Sequence, residues 1–351
     1  MKTAVKACLG LCIKEYILYN KDMNKEITDN KDNKENNEEK ILRPECRELR
    51  YTLSDNEAST TCGEIMRDRM QLSSREISRC KQFDDGVMKF NSIESDNSYI
   101  PARLIDKIFP GETLIVKIYE DNDNAGDIVP TDGNLDIVYE DEDLIVIDKE
   151  GDRVVHPSYA HYTDSLSNFL MGYYNRTGQR HIVRTVGRLD RETSGLVIFA
   201  KNRHSAALLS KQKENMSRRK EYIALCSGVF EQKEGTVDAP IRRRPEERMI
   251  REVHPEGQEA ITHFNVLKQY EDFALIKLIL DTGRTHQIRV HMAYLGHPLL
   301  GDNFYGKDNP DNKGLSRAAL HAGHIEFLQP ITGEKIVIDA ELPDDMKSLI
   351  I

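Results

Sequence analysis

Three short segments concentrate side chains that could do chemistry without a bound group: Val186-Gly-Arg-Leu-Asp-Arg-Glu-Thr-Ser-Gly195, Arg219-Lys-Glu-Tyr222 and Thr282-Gly-Arg-Thr-His-Gln-Ile-Arg289. In the first, an extended Arg188-Leu189-Asp190 turns Arg188 and Asp190 to one face and Leu189 to the other. Gly187 and Gly195 bracket a polar loop ahead of an apolar run, Leu196–Ala200, and functional side chains concentrate in such loops. Asp190 is therefore a candidate base or nucleophile. Taken alone, an Arg-x-Asp reads more simply as an ordinary surface ion pair.

The third segment constrains more. Gly283 suits a tight turn, and a helix is expected from about His286 to Leu295, closed by Gly296. Ile288, Met292 and Leu295 repeat at i, i+4 and i+7 and form its expected buried stripe. Arg289 sits at the edge of that stripe, where burial demands an acidic partner. His286, His291, His297, His321 and His324 invite a metal reading. However, His286 and His291 are five residues apart, about 140° around a helix, and HExxH spacing is absent. Structural histidines are the simpler assignment, and no metal is expected.

Elements able to position these segments can be read around them. Strand-like runs at Leu144–Ile147, Leu196–Ala200, Tyr222–Cys226, Phe273–Leu280 and Ile336–Ile338 mix with helical ones at Ser165–Tyr174, Ser205–Lys213 and His286–Leu295. Strands joined both by short turns and by helices predict an α+β fold with a mixed, largely antiparallel sheet. Upstream, Thr61-Cys62-Gly63-Glu64 and Ser73-Ser74-Arg75-Glu76 both fit the capping box of a helix start. Arg75 and Arg79 share a face of the second helix. Extended runs follow at Val87–Phe90 and Leu114–Ile118.

Residues 20–40 are almost entirely Asn, Lys, Asp and Glu and read as a disordered tether. The expected organisation is a poorly ordered extension (1–57), a small α/β module (58–118), an acidic linker (119–137) and a main domain (138–351).

Charge is unevenly spread over the 351 residues, whose net value is −10. Residues 119–152 hold thirteen acidic residues against one lysine, whereas residues 180–220 hold eleven Lys/Arg against three Asp/Glu. The latter stretch, followed by Arg242, Arg243, Arg244, Arg248 and Arg251, could contact phosphates, although charge alone favours a solvated face. Six cysteines without CxxC pairs suggest reduced thiols rather than zinc or disulfides. No apolar run approaches the ~20 residues of a membrane span, and the brief Ala7–Ile13 run lacks a secretory cleavage pattern. A cytoplasmic protein is expected.

In order along the chain, "GRLDRETSGLVIFAKN", "KEYIALCSG", "TGRTHQIRVHMAYLGHPLLGDNFYG" and "LHAGHIEFLQPITGEKI" closely resemble the RluA/RluD-type pseudouridine synthases over about 138–351. "LSSREISRCKQFDDGVMKFN" and "IFPGETLIVKI" resemble, more loosely, the S4-like RNA-binding module, with Asn91-Ser92 replacing its usual Asn-Gly turn. The resemblance implies isomerisation of uridine in RNA from an N- to a C-glycosidic link. Asp190 then matches the catalytic aspartate, and Arg188 the arginine that helps displace the target base. Tyr222 matches the tyrosine that packs on that base and could move a proton at C5. Arg289 matches the arginine that pairs with the aspartate, and Thr193, Lys220 and Arg284 match supporting positions. Two departures stand out: Gly187 replaces a His before Arg-Leu-Asp, and Lys149-Glu150-Gly151-Asp152 replaces a KPxG turn.

Such an isomerisation is redox-neutral and adds no group, so no cofactor is expected. The implied partner is RNA, ribosomal or transfer, with no membrane and no obligatory protein partner. An isolated aspartate titrates near ~3.9, and a neighbouring arginine would keep it ionised. It could attack C1′ or remove a ribose proton. Two other classes remain. One is an inactive RNA-binding or assembly factor retaining the fold. The other is a glycosidase, which would need a second carboxylate about 5 Å away if retaining, for which Glu192 is the nearest candidate.

Overall fold

The computed structural model describes residues 46–90, 99–120, 128–214, 218–247, 249–306 and 312–350. The expected tether at 20–40, the Ala7–Ile13 run, the Asn91-Ser92 turn, Arg248 and most of the acidic 120–127 stretch lie outside them.

The N-terminal module is a four-stranded antiparallel sheet in the order β1-β6-β3-β4, formed by β1 (Cys46–Thr52), β3 (Val87–Phe90), β4 (Tyr99–Pro101) and β6 (Thr113–Tyr119). Two-residue strands β2 (Thr60–Thr61) and β5 (Lys107–Ile108) pair beside it. Both capping boxes form. Thr61 opens α1 (Cys62–Glu64), which runs into a wider turn over Ile65–Arg69, and Ser73 opens α2 (Ser74–Cys80). Strand β1 lies upstream of the expected module boundary at 58; its Leu49 is buried, and it pairs along its whole length with β6.

The main domain is built on a ten-stranded sheet. Its strands are β7 (Asp136–Glu140), β8 (Leu144–Lys149), β9 (Arg184–Thr185), β10 (Ser194–Ala200), β11 (Arg219–Ser227) and β12 (Glu234–Asp238), then β15 (Ile261–Gln269), β16 (Phe273–Leu280), β17 (Leu320–Leu328) and β18 (Lys335–Asp339). The order is β12-β15-β16-β11-β17-β10-β8-β7, with β18 on β17 and β9 on β10. Among the described residues only β10 and β17 pair in parallel, which makes the sheet mixed and largely antiparallel as expected. A separate hairpin, β13 (Ile241–Arg243) and β14 (Arg251–Val253), carries several of the arginines.

Every residue of β10 is buried, because helices cover both faces of this part of the sheet. Alternation sorts its side chains between two cores. Val197 and Phe199 join Ile145 and Ile147 against Leu166, Leu170 and Tyr174 of α3 (Leu166–Thr177). Leu196, Ile198 and Ala200 join Leu144 and Val146 against Leu209 of α4 (Arg203–Glu214) and Phe327. The other half of the sheet is covered by α5 (Gln287–Tyr294), whose Ile288 and Met292 pack on Ala224, Ile276 and Leu278. Leu295, expected in that stripe, is 38% exposed, because the helix is closing there and Gly296 follows at φ +86°. A last short helix, α6 (Asp344–Lys347), buries Met346.

The module is fastened to the main domain by buried charge. Arg47 makes two hydrogen bonds to Asp143, at 2.8 and 3.0 Å, and Asp143 also accepts from Asn202, Ser205 and Gln329. Burial alone would raise the Asp143 carboxyl, but Arg47 and these donors bring it below its ordinary value. Glu76 of α2 bonds His204 of α4 at 3.1 Å, with both side chains buried. Among the described residues, no helix is long and apolar enough to cross a membrane.

Candidate active site

A cavity of about 320 Å³ opens where the loop before β10, strand β11 and the loop into α5 converge. All seven residues singled out in the sequence line it: Arg188, Asp190, Thr193, Lys220, Tyr222, Arg284 and Arg289. Asp190 is the one carboxylate among its lining residues.

The Asp190 loop is pinned from several sides. Arg188 to Asp190 lies outside any helix or strand, with Leu189 buried in the core, as alternation predicts. The Asp190 carbonyl accepts from the Thr193 amide at 3.2 Å, closing a turn just before the sheet. Lys149 donates from beneath to the Arg191 carbonyl at 3.1 Å and to the Glu150 carbonyl at 2.7 Å. Burial pulls the Lys149 ammonium down to about 7, with Arg317 nearby pushing the same way. Gly195, at φ +108°, lets β10 approach β17 so closely that a Cβ there would meet the Ala322 carbonyl oxygen at 2.4 Å.

Tyr222 and Lys220 project from β11, two residues apart and hence on one face. The Lys220 ammonium donates to the Leu196 carbonyl at 2.7 Å and lies 5.5 Å from the centre of the Tyr222 ring. Burial, reinforced by Arg218, Lys149 and Lys213, lowers Lys220 to about 7. Burial and the charge of Asp190 raise the Tyr222 phenol well above its ordinary value. It is therefore a protonated hydroxyl at neutral pH.

Arg289 departs from expectation. Its Nε and Nη2 donate to the two carboxylate oxygens of Asp302, each at 2.7 Å, and Nη2 also reaches Glu192 at 3.3 Å. Asp190 makes none of these hydrogen bonds and reaches Arg289 only through its charge. The guanidinium also lies over the rings of Phe304 and Tyr305, 5.2 and 5.5 Å from their centres. Burial would lower Arg289, but the Asp302 hydrogen bonds and the charges of Asp302, Glu192 and Asp190 raise it further. Glu192, the candidate second carboxylate of a glycosidase, is turned into this network, where it also accepts from the Ala318 amide at 2.9 Å.

The loop before α5 is stitched by Gln287. Its side-chain oxygen accepts from the Arg284 amide and the Thr282 hydroxyl, and its amide nitrogen donates to the Ile261 carbonyl. His286 begins the helix at φ +57°, bonded through Nδ1 to the Tyr305 hydroxyl at 2.9 Å and stacked on Phe304. Burial lowers its pKa, which favours the neutral ring. No group of three or more metal-ligating side chains occurs among the described residues. Asp302, Phe304 and Tyr305 stand in the quoted "GDNFYG" run, which is the signal that could have pointed to them.

The site is thus a cleft in a largely antiparallel α+β sheet that brings one carboxylate, a tyrosine and several cations together. The family model for RNA pseudouridylate synthase matches residues 143–294. The uncharacterised RNA pseudouridine synthase YjbO of Bacillus subtilis is 44% identical over 243 residues, 68% of this chain and 83% of that protein. Ribosomal large subunit pseudouridine synthase D of Haemophilus influenzae is 37% identical over 258 residues, 70% of this chain and 78% of that one. Human RNA pseudouridylate synthase domain containing 1 superposes with a TM-score of 0.50 at 26% identity, covering 59% of this chain and 83% of that structure. The chain belongs to the RNA pseudouridine synthase family, and its reaction is the isomerisation of uridine in RNA.

Proposed function

We propose that this protein isomerises specific uridines in structured RNA, ribosomal RNA before transfer RNA, with Asp190 as the catalytic group. The observation that carries the reading is the convergence of seven residues from three distant segments on one cavity whose only lining carboxylate is Asp190. The ribosomal preference rests on the named activity of the large-subunit relative.

A uridine leaves its stack and enters the cavity, at a cost of a few kcal/mol. Stacking on the Tyr222 ring and hydrogen bonds in the cavity offset that cost. Arg188, exposed at the mouth, takes the position the base vacates. Asp190 attacks C1′ or removes a ribose proton as the C1′–N1 bond breaks and leaves its electron pair on the uracil. The uracil turns, and C5 bonds to C1′ as the Asp190 ester opens or the ribose proton returns. In this reading the Tyr222 hydroxyl passes its own proton to solvent as it takes the one that leaves C5, and N1 takes up a proton from solvent. Thr193, Lys220 and Arg284 support the loop and cavity wall, and Arg289 supplies positive charge beside Asp190. The N-terminal module is S4-like in this reading. It adds RNA contacts through Arg75 and Arg79, which line a cavity of about 450 Å³ against Arg184 and Lys211 of the main domain.

Carbodiimide-induced reverse-transcription stops, compared in cells with and without the protein, test this reading. It predicts loss of one or a few stops in ribosomal RNA. Loss confined to transfer RNA would refute the substrate preference, and loss of no stop would refute the activity.

A further inference from the structure

The wall of the same cavity also holds Lys213 and Arg218, two cations that the chemistry at Asp190 does not use, beside the supporting Arg284. Lys213, in the last turn of α4, and Arg218, just beyond it, stand across from Arg284 of the α5 entry loop. Gly283 lets Lys213 come close to that loop: a Cβ on it would lie 2.7 Å from the Lys213 ammonium. Among the described residues, no carboxylate forms an ion pair with any of the three. Arg284 Nε donates to the Glu259 carbonyl at 2.8 Å, and Arg218 Nη1 reaches the Leu209 carbonyl at 3.5 Å, which leaves their charge uncompensated. Partial desolvation of the ammonium in the cavity wall and then repulsion by Arg218 and Arg284 lower Lys213, although the side chain as a whole stays exposed. Cations gathered without counter-ions are a standing cost. A bound anion removes that cost, and guanidinium forks suit phosphate oxygens.

We propose that Lys213, Arg218 and Arg284 form a phosphodiester subsite that holds the RNA backbone beside the uridine in the cavity. The inference rests on the uridine reading above and adds how the strand is gripped. The subsite fixes the backbone at one end of the cavity while the base turns at the other, so the strand stays in place when the glycosidic bond is open. Lys213 is exposed on a helix surface, and its replacement leaves the core untouched.

The test uses a fluorescein-labelled RNA stem-loop with a single loop uridine, and a copy carrying uncharged methylphosphonates at the two linkages flanking it. On the natural backbone, Lys213→Met and Arg218→Met should each weaken binding about tenfold. Each should also flatten the salt dependence by about 0.7 in log–log slope. Arg218→Lys should recover most of the loss. On the methylphosphonate copy the variants and the unaltered protein should bind alike. Equal losses on both RNAs, or no loss on either, would overturn the subsite. Pseudouridine is assayed separately in the same stem-loop. Absence of product with the backbone dependence intact would therefore count against the catalytic reading and not against the subsite.

Discussion

Arg289 is held by Asp302 through two hydrogen bonds of 2.7 Å from Nε and Nη2, with both side chains almost wholly buried. This bidentate pair fixes the plane of the guanidinium, and Glu192, from the Asp190 loop, shares Nη2. Arg289 thereby ties the Asp190 loop to the Asp302 turn. Removing one partner of a buried pair leaves an uncompensated charge, so Asp302→Ala should cost about 3–5 kcal/mol of unfolding free energy. Glu192→Gln keeps a hydrogen-bonding side chain and should cost less, about 1.5–3 kcal/mol. Urea denaturation of the two variants checks the ranking. Equal and negligible losses would show that Arg289 does not depend on either acid.

Tyr222→Phe keeps the ring and removes the hydroxyl. Uridine should still enter and stack, while product formation falls by about 10²–10⁴, the usual worth of a positioned proton carrier. Single-turnover pseudouridine formation and RNA binding, measured side by side, separate the two effects. An undiminished rate would remove Tyr222 from the proton path.

Lys220, lowered by burial and neighbouring cations to about 7, carries half its charge near neutral pH. In the free protein its positive charge fades as pH rises through about 7, so kcat/KM should show a descending limb there. Bound RNA favours the charged form and moves the corresponding limb of kcat to higher pH. Lys220→Arg keeps the charge at all these pH values and should flatten the limb. If the limb persists unchanged in that variant, another group causes it.

Lys149 makes a related prediction about stability. Its folded value of about 7 lies below the 10.5 of an unperturbed lysine. Between those values the unfolded chain binds more protons than the folded one, so stability rises with pH across that window. Below pH 7 the burial penalty is fully present. Lys149→Met should reduce the rise, as read from urea midpoints at pH 7 and pH 9.

Much of this architecture was legible in local sequence. The α+β class follows from strand-like and helical runs whose positions recur in the structure, with Phe273–Leu280 and Val87–Phe90 matching to the residue. The convergence of Asp190, Tyr222 and Arg289 on one cavity was also legible, through motif order. Long-range contacts account for what was missed. The strand Cys46–Thr52 was hidden beside a polar stretch and is specified by pairing with Thr113–Tyr119, some sixty residues later. Arg289 visibly needed an acid, but local spacing could not distinguish Asp190 from Asp302 or Glu192. The left-handed backbone of His286 was likewise unforeseen. It follows from the hold that Tyr305 and Phe304 take on its ring.

The assignment of catalysis to Asp190 is tested most directly by tritium release from 5-tritiated uridine RNA. Asp190→Asn changes one charge and almost no volume, so the cavity and its cations remain to bind RNA. The account predicts that this variant binds RNA as the unaltered protein does and releases no tritium above background. Substantial tritium release by Asp190→Asn would contradict it.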